Sequence, residues 1–293
     1  MTNPATACLL RCEEAGVTAH IPINSLPVFQ RARGMLSISA QRASGDVTRL
    51  KNLRQQGSFR AIFPRPISGN VEAVIINTAG GVTGGDQFST TVTAHENANI
   101  SCTTQAAERI YGASDLNAGS IQTTLIAEQG AQLYWLPQET IVFDRARLRR
   151  RLDVHLHPKA KFLMVEPMVF GREASGETLR SAGLDDRVSI FSNRQSLYLD
   201  RFKFEGDIAS QLGRPAIANG ARAMASMVLA DQNAKPFLDP IRALLPSCAG
   251  ASLLSETVLV VRVLAADSFA LRTILLPILK LLTNDAVPKN WRL

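Results

Sequence analysis

Acidic side chains in apolar surroundings are the groups of this sequence that could handle a cation. Glu166 and Asp200 each follow an apolar segment that reads as a strand, and a carboxylate at an inward strand position is costly unless it is paired or wetted. Such a pair could line a polar passage for a divalent cation, or act in a hydrolase or transferase. The pattern alone favours an exposed strand residue or an ion pair with Arg172 or Arg201. Further carboxylates flanked by apolar or small residues are Glu108, Glu139, Glu173 and Glu177.

A glycine-rich segment runs from Thr78 to Asp86, with glycines at Gly80, Gly81, Gly84 and Gly85. Glycine permits positive φ and the close approach of another chain. A phosphate-binding loop would end in Gly-Lys-Ser/Thr, and a dinucleotide fingerprint would carry glycines at its first, third and sixth positions. Neither spacing is present, and no helical pattern follows. The segment therefore predicts a tight turn or a contact surface rather than a nucleotide site.

Two histidines and two cysteines have spacings that could suggest a metal site. His155 and His157 lie two apart in a strand-like segment and would face the same side, but Pro158 ends the strand and no third ligand is nearby. Cys8 and Cys12 have helical spacing in a segment without a helical pattern. We interpret the histidines as a half-exposed strand face and assign no metal ligand.

The composition indicates a folded protein with a substantial core, because 46% of its 293 residues are apolar and 19% are charged. The sequence has no C-x-x-C pair and no disulfide framework, which fits a reducing compartment. It has neither a long apolar run nor the pattern of a signal peptide, so we expect a cytoplasmic protein without membrane contact. No Gly-x-Ser-x-Gly elbow and no histidine acid–base motif are found, so no enzyme is predicted.

Basic residues dominate the charge, with a formal net charge of +7 and a pI near 9.6. They are concentrated at Arg145, Arg147, Arg149, Arg150 and Arg151. Arginine pairs with carboxylates and phosphates, so this stretch is compatible with an acidic partner surface, a nucleic acid, a membrane surface or a solvated strand. A nucleic-acid binder would show steeply salt-dependent retention, but the sequence has no signature of a known nucleic-acid-binding module.

Short apolar segments separated by turn residues dominate the chain from Gly34 onwards, and many of them alternate with period two or are rich in β-branched residues. They predict an extended multi-strand β architecture of sandwich or solenoid type, although no strict sequence repeat is visible. The predicted strands are Gly34–Ala40, Val71–Asn77, Phe88–Ala94, Ala98–Thr104, Ser120–Glu128, Gln132–Trp135, Leu148–His157, Lys161–Val165, Arg187–Ser192 and Gln195–Phe204.

The pattern changes near Gly206, where helical segments appear. The predicted elements are a helix at Phe237–Leu245, paired strands at Ser252–Leu254 and Thr257–Leu264, and a helix at Phe269–Leu282. Ser268 is the predicted cap of the last helix, and Pro277 predicts a kink or two shorter pieces. The chain is thus expected to be mainly β with an α+β C-terminal part and about two helices. We predict a loosely ordered arm at 1–29, a mainly β region at 30–205 and an α+β region at 206–293, the last two in one continuous fold.

Six motifs in order resemble the UreD (UreH) family of urease accessory proteins, from about Gly34 to the end of the chain. They are Phe63–Pro66, Ile76–Asp86, Thr104–Tyr111, Trp135–Phe143, Val165–Arg172 with Gly176-Glu177, and Pro288-x-x-Trp291. Each motif is modest alone, but the ordered set is specific. The motif positions taken as structural or as partner contacts are Gly80, Gly81, Gly84, Gly85, Asp86, Gln105, Glu108, Tyr111, Pro137, Gln138, Glu139, Gly171, Arg172 and Glu177.

The resemblance implies a non-enzymatic scaffold with a mainly β, extended fold. Family members bind UreF and, through it, the GTPase UreG, and the oligomeric complex docks on the urease apoenzyme so that nickel reaches the active site. No cofactor is tightly bound, and nickel(II) passes transiently through an internal, water-filled route. The resemblance puts Glu166 and Asp200 on that route, where loosely held oxygen ligands suit passage better than a closed cage.

Two features depart from the family pattern. Gly112 stands where the family usually has arginine after the tyrosine, and the arm at 1–29 carries no family motif. The alternatives to the scaffold are a basic nucleic-acid-binding protein, which the charge suggests, and an unrecognised hydrolase that uses Glu166 with Asp200 as a carboxylate pair. Salt-dependent nucleic-acid retention would identify the first, and activity of the isolated chain would identify the second.

Overall fold

The computed structural model describes residues 30–45, 47–65, 69–114, 117–172 and 175–292. The predicted arm at 1–29, with Cys8 and Cys12, lies outside the described residues, as does Glu173. Within the described residues, seventeen strands form two sheets and three α-helices accompany them.

The first sheet, here called the outer sheet, has seven strands in the order β14-β13-β11-β8-β5-β1-β2. Its inner strands are parallel, and only β2 and β14 at its two edges run antiparallel to their neighbours. The strands are β1 Arg33–Arg42, β2 Thr48–Gly57, β5 Gln87–Ala94, β8 Gly119–Ala127, β11 Arg147–Leu156, β13 Ala182–Ser192 and β14 Gln195–Gly206.

The second sheet, here called the central sheet, has ten strands with the main order β16-β17-β15-β12-β9-β6-β4-β3. Short β10 pairs with β12 and β7 beside this path. The strands are β3 Phe59–Ile62, β4 Val71–Asn77, β6 Asn99–Thr104, β7 Glu108–Ile110, β9 Gln132–Trp135, β10 Thr140–Val142, β12 Lys161–Phe170, β15 Ala223–Ala230, β16 Ala249–Ser255 and β17 Val258–Ala265.

The chain winds between the two sheets as a solenoid. From β4 to β13 it alternates between the central sheet (β4, β6, β9, β12) and the outer sheet (β5, β8, β11, β13), and each turn stacks in parallel on the one before. Each crossing of the chain buries alternate side chains between the sheets, in a core that includes Leu125, Val154 and Phe162. The predicted β architecture of sandwich or solenoid type is confirmed.

The helices follow the sequence closely. They are α1 Ile208–Leu212, α2 Leu238–Leu244 and α3 Ser268–Thr283. α3 packs Leu271, Leu275 and Ile278 on the second face of the central sheet, so that sheet is buried on both sides. The predicted cap of α3 is wrong by one residue, because Asp267 accepts a hydrogen bond from the Ala270 amide (2.7 Å). The helix runs through Pro277 without being divided in two, and short α1 was not predicted.

Several strands carry no sequence signal and were not predicted, notably β2 and β15. No helix among the described residues combines the length and the apolar content needed to cross a membrane.

Candidate functional site

Strand β12 carries Glu166 into the centre of the molecule. The strand is buried on both faces because it lies between the outer sheet and the helices. Phe162, Met164 and Met168 face the core between the sheets, and Glu166 shares their side of the strand by period two. Only 8% of Glu166 is exposed, so a carboxyl group lies where an apolar side chain would be expected.

Arg150 on β11 supplies the counter-charge from the opposite sheet. Its Nη1 lies 2.6 Å from Glu166 Oε2, off the line of a hydrogen bond, so this oxygen has an ionic contact but no aligned donor. Its Nε and Nη2 donate to the two oxygens of Asp186 on β13 at 3.0 and 2.5 Å, and Nη1 also donates to Thr140. Trp135 Nε1 donates to Glu166 Oε1 at 2.7 Å. One guanidinium therefore bridges two buried carboxylates.

Burial and neighbouring charges change the protonation behaviour of this pair. The pKa of Glu166 is raised, chiefly by burial and further by Asp186, against the opposing effects of Arg150 and Trp135. Burial alone would lower the pKa of Arg150, but Asp186 and Glu166 raise it above its usual value. Arg150 therefore stays charged, and the carboxylates depend on it.

A second ion pair lies beyond Glu166. Asp200 on β14 is bound by the guanidinium of Arg262 on β17, which also lies 3.5 Å from the Tyr198 hydroxyl. A cavity of about 20 Å³, room for a single water, is lined by both ion pairs and by Ser226. Arg262 is 43% exposed at its side chain, so this cavity lies near the surface at that end.

A larger cavity of about 190 Å³ lies on the other side of the Arg150–Glu166 pair, and both residues line it. Its wall includes exposed Gln105 and Gly80, so it opens to solvent. Segments of four motifs surround it, contributing Asn77, Gly80, Gln105, Glu108, Trp135, Pro137, Gln138 and Glu166. The structure thus brings together motif residues that lie far apart in the sequence.

The glycine-rich loop is fixed at this cavity by backbone and side-chain contacts. Buried Asp86 accepts hydrogen bonds from the amides of Ala32 (2.7 Å) and Thr83 (2.8 Å). Tyr111 donates its hydroxyl to the Gly80 carbonyl (3.2 Å). A Cβ at Gly81 would lie 2.4 Å from the Tyr111 ring, and its φ of 154° already disfavours other residues. Gly84 and Gly85 form the next turn. The loop is a tight connection between β4 and β5.

Aromatic stacking connects this loop to the one after β12. The ring of Tyr111 packs edge-on against Phe143, with 5.0 Å between the ring centroids, and the guanidinium of Arg172 lies over the Phe143 ring, 4.3 Å from its centroid. Arg172 forms an ion pair with Glu177, which also accepts hydrogen bonds from the amides of Asp144 and Arg172. Gly171, with φ of 85°, makes the turn before this pair.

The motif Pro137-Gln138-Glu139 binds the C-terminal helix. Arg272 of α3 donates to Gln138 Oε1 (2.9 Å) and to the Asn290 carbonyl (2.6 Å), and lies 3.4 Å from Glu139 Oε1. Trp291 donates its indole N–H to the Leu136 carbonyl at 2.8 Å. The C-terminal segment is therefore attached to the wall of the larger cavity.

Glu108 is a residue of that wall whose carboxyl pKa lies near neutral pH. Burial raises its pKa to about 7, although Asn77 donates a hydrogen bond to its Oε1 (3.1 Å). The same Asn77 amide donates to the Gly81 carbonyl (3.0 Å). Glu108 thus lies between the glycine-rich loop and the cavity.

Comparison with known proteins agrees with this arrangement of motifs. The family model of the UreD urease accessory protein matches residues 31–292. The urease accessory protein UreD of Ruegeria pomeroyi is 47% identical over 247 residues, covering 84% of this chain and 96% of the relative. That of Roseobacter denitrificans is 46% identical over 265 residues, covering 90% and 96%. The chain belongs to the UreD family of urease accessory proteins.

Membership in the UreD family confirms the resemblance seen in the sequence and makes this chain a urease accessory protein. The UreD of Rhizobium rhizogenes is a more distant example, 42% identical over 265 residues, with 90% of this chain and 96% of the relative aligned.

The ion-pair partners suggested by the sequence are wrong. Glu166 pairs with Arg150 and Asp200 with Arg262, whereas Arg172 binds Glu177 and Arg201 binds Asp185. The suggested partners are close to the carboxylates in the sequence, whereas the observed partners lie on strands of the facing sheet. A signal was available for the first partner, because Arg150 has the same strand parity as Leu148 and Leu152, which are buried. Arg262 has the same parity as Val258 and Val260 in an otherwise apolar strand.

The remaining metal candidates are not brought together. His155 stacks on Phe191 at 6.0 Å, and His157 lies beyond the end of β11 and accepts the Lys159 amide. Of the other cysteines, Cys102 is buried, which raises its thiol pKa to about 12, and Cys248 is exposed. In the described parts of the chain, no three His, Cys, Asp or Glu side chains form a group that could hold a metal.

Gly112 fits a crowded position next to the motif tyrosine. A Cβ there would lie 2.8 Å from the Asp144 carbonyl oxygen, closer than side chains normally approach. The Gly112 carbonyl accepts a hydrogen bond from Thr83 (3.2 Å). Glycine at this position therefore lets the segment pass close to the turn before β11.

Proposed function

We propose that this UreD-family chain is a non-catalytic scaffold for urease maturation. It works in a complex with UreF and, through UreF, with the GTPase UreG, and that complex delivers nickel(II) to the urease apoenzyme. The resemblance to the family supports the partners. The proposed nickel route rests on the position of Glu166. This side chain is only 8% exposed and lies between two cavities, one near the motif loops and one near Arg262.

The path would enter through the larger cavity at the motif loops, pass the Arg150–Glu166 pair and leave at Arg262. Both cavities share Arg150 and Glu166 as wall residues, so this pair is the partition between them. The small cavity is lined by three carboxylates (Glu166, Asp186 and Asp200) and two guanidiniums (Arg150 and Arg262), which leaves one net negative charge at this stretch of the path when all are ionised. A cation is favoured over an anion there.

Arg150 would act as the gate of this route. Removing a counter-ion from a buried pair costs about 3–5 kcal/mol because the remaining charge is uncompensated. A divalent cation that arrives at Glu166 and Asp186 supplies the missing charge, so the guanidinium can move aside without leaving them unpaired. The unaligned contact between Arg150 and Glu166 Oε2 favours such an exchange, because this oxygen has no donor to give up.

The ligand chemistry suits passage rather than storage. The path offers carboxylate and hydroxyl oxygens, from Glu166, Asp200, Ser226 and Thr140, whereas nickel is held more firmly by imidazole. Weak oxygen contacts allow the ion to leave again. The cargo would therefore bind briefly at several points.

The test measures urease activation in a host that carries the nickel enzyme and the other accessory proteins, with this chain intact, deleted or varied. The variant is Glu166→Gln with Asp200→Asn, which keeps size and most hydrogen bonds but removes both charges. The control is Asp239→Asn with Glu256→Gln, two carboxylates that are 92% and 76% exposed at their side chains.

We expect deletion to abolish active urease, and the interior variant to form the accessory complex yet yield much less active enzyme, while the control stays near wild type. Full activation by the interior variant would remove Glu166 and Asp200 from the route. Full activation without the chain would overturn the accessory role itself.

A further inference from the structure

The exposed face of the outer sheet carries one continuous row of side chains across all seven strands, here called the transverse row. Register partners on neighbouring strands define it as Gln56, Met35, Ser89, Gln122, Arg151, Arg187 and Arg201. Three arginines thus follow one another on β11, β13 and β14. Like charges opposite each other on adjacent strands destabilise a sheet, so fold stability does not account for the arrangement.

The positive charge of this face is only partly compensated. Asp185, two residues before Arg187 on the same face of β13, accepts a two-pronged contact from Arg201 (3.1 Å each) and a hydrogen bond from Arg187 at 3.3 Å. In the part of the chain that the structure describes, Arg149 and Arg151 are exposed and have no carboxylate partner. Strand alternation therefore divides the arginine stretch, with Arg150 inside and these two outside.

Asp185 also indicates which chemistry the face recognises. Its two oxygens accept the parallel N–H groups of Arg201, and this contact is the main reason that the Asp185 pKa is lowered. Planar, two-pronged binding of a carboxylate is the geometry for which arginine is suited. The neighbouring Arg149 and Arg151 can bind further carboxylates in the same way.

The other half of the transverse row borders a depression of about 480 Å³ in the sheet surface. Met35, Gln56, Ser89 and Gln122 line it, with Phe88 at its floor. Met35 is 43% exposed, and its flexible thioether adapts to an entering apolar side chain. The face thus has a partly apolar depression next to a group of arginine side chains.

We infer that this face docks the urease apoenzyme, through an acidic patch that lies beside one projecting apolar side chain. The inference rests on the proposed function, because it takes the apoenzyme as the partner. Charge complementarity selects an acidic protein: the patch is compact, already binds a carboxylate, and combines charge with a partly apolar depression as protein interfaces do. The docking face lies on the outer sheet, whereas α3 packs on the second face of the central sheet.

The test captures purified urease apoenzyme on the tagged full-length chain at low and at high NaCl. The variants are Arg149→Glu with Arg151→Glu, and separately Met35→Asp. The control is Lys159→Glu with Arg214→Glu, two exposed residues in turns outside the strands of the outer sheet, with the same change in net charge. Thermal unfolding of each variant checks that the fold is retained.

We expect the arginine variant to bind apoenzyme at least roughly tenfold more weakly at low salt and to lose most of its salt dependence, because two attractions become repulsions. Met35→Asp should weaken binding at both salt concentrations, and the control should bind as wild type. Equal binding by the arginine variant and the control would overturn the inference. So would a variant that binds apoenzyme normally but no longer retains duplex DNA, which would assign the face to nucleic acid.

Failure here is distinguishable from failure of the proposed function. If capture is unchanged in the arginine variant but deletion of the chain still abolishes urease activation, the accessory role stands and only the docking face is wrong. If deletion leaves urease active, the accessory role falls whatever the capture assay gives.

Discussion

At the scale of single residues, each carboxylate in the interior path of this protein is paired with an arginine guanidinium. Arg150 is 11% exposed at its side chain and is bound by Glu166 and Asp186 from two different sheets. A buried ion network of this kind seldom adds net stability over apolar packing. The presence of this network in an otherwise apolar core is therefore better explained by a functional use of charge at that place than by fold stability.

Glu108 should make stability fall as the pH rises through a defined window. Its pKa is about 7 in the folded protein against 4.5 for the free group, so between these values the folded state holds a proton that the unfolded state has lost. Stability then decreases with pH, by at most about 3 kcal/mol in total. Glu108→Gln removes this loss, so its melting temperature should fall less than that of wild type from pH 4.5 to above pH 7.

The matched variant for this comparison is Glu256→Gln, whose side chain is 76% exposed and whose pH profile should follow wild type. Parallel profiles for Glu108→Gln and wild type would contradict a buried, proton-binding Glu108.

At the scale of elements, the sequence predicts strands well where burial is one-sided and β-branched residues are frequent. β5 and β8 alternate, and both were predicted close to their bounds. β15, with the sequence AMASMVLA, was missed because it is rich in alanine and methionine, which have little strand preference. It forms a strand because it pairs with β12 on one side and with β17 on the other, and because nearly all of its residues are buried. β2 is polar and exposed at the sheet edge, so its pairing with β1 decides its conformation.

The site was predictable only in part for a related reason. Strand parity marks Glu166 as inward once β12 is placed, and marks Arg150 as inward on β11. Which inward residues meet depends on how the two sheets stack, and no local pattern encodes this. The solenoid winding brings β11 opposite β12, so the partner of Glu166 lies sixteen positions away rather than among its neighbours.

The attachment of α3 to the central sheet depends on Arg272. Replacing it by methionine removes two hydrogen bonds, to Gln138 and Asn290, and leaves Glu139, 9% exposed, without its counter-charge. We expect a loss of about 2–4 kcal/mol, measured by denaturant or thermal unfolding. Arg272→Lys should recover part of it. Lys280→Met on the same helix, at an exposed position, should cost less than about 1 kcal/mol, and an equal loss in both would refute the role of Arg272.

At the scale of the whole molecule, the solenoid separates three regions. Its loops collect the motif residues around the larger cavity, its interior carries the charged path, and the outer sheet leaves a broad face exposed. Because each strand contributes alternate residues to the interior and to the outer face, Arg150 and Arg151 serve different purposes although they are adjacent. Arg151 also lines the larger cavity, so substitutions at Arg149 and Met35 are the ones that test the docking face without changing the wall of the path.

Obstructing the path with bulk, without changing any charge, is the most direct test that it crosses the molecule. Ser226 lies on β15 opposite Glu166 and lines the small cavity of about 20 Å³. Ser226→Leu overfills this space and should cost about 1–3 kcal/mol of stability, while leaving every ion pair and the outer face in place. Met224→Leu, at another wall position of the same cavity, conserves volume and is the control. If nickel passes here, Ser226→Leu assembles with its partners but fails to activate urease, and Met224→Leu activates normally. Normal activation by both variants would mean that the ion reaches urease by another way.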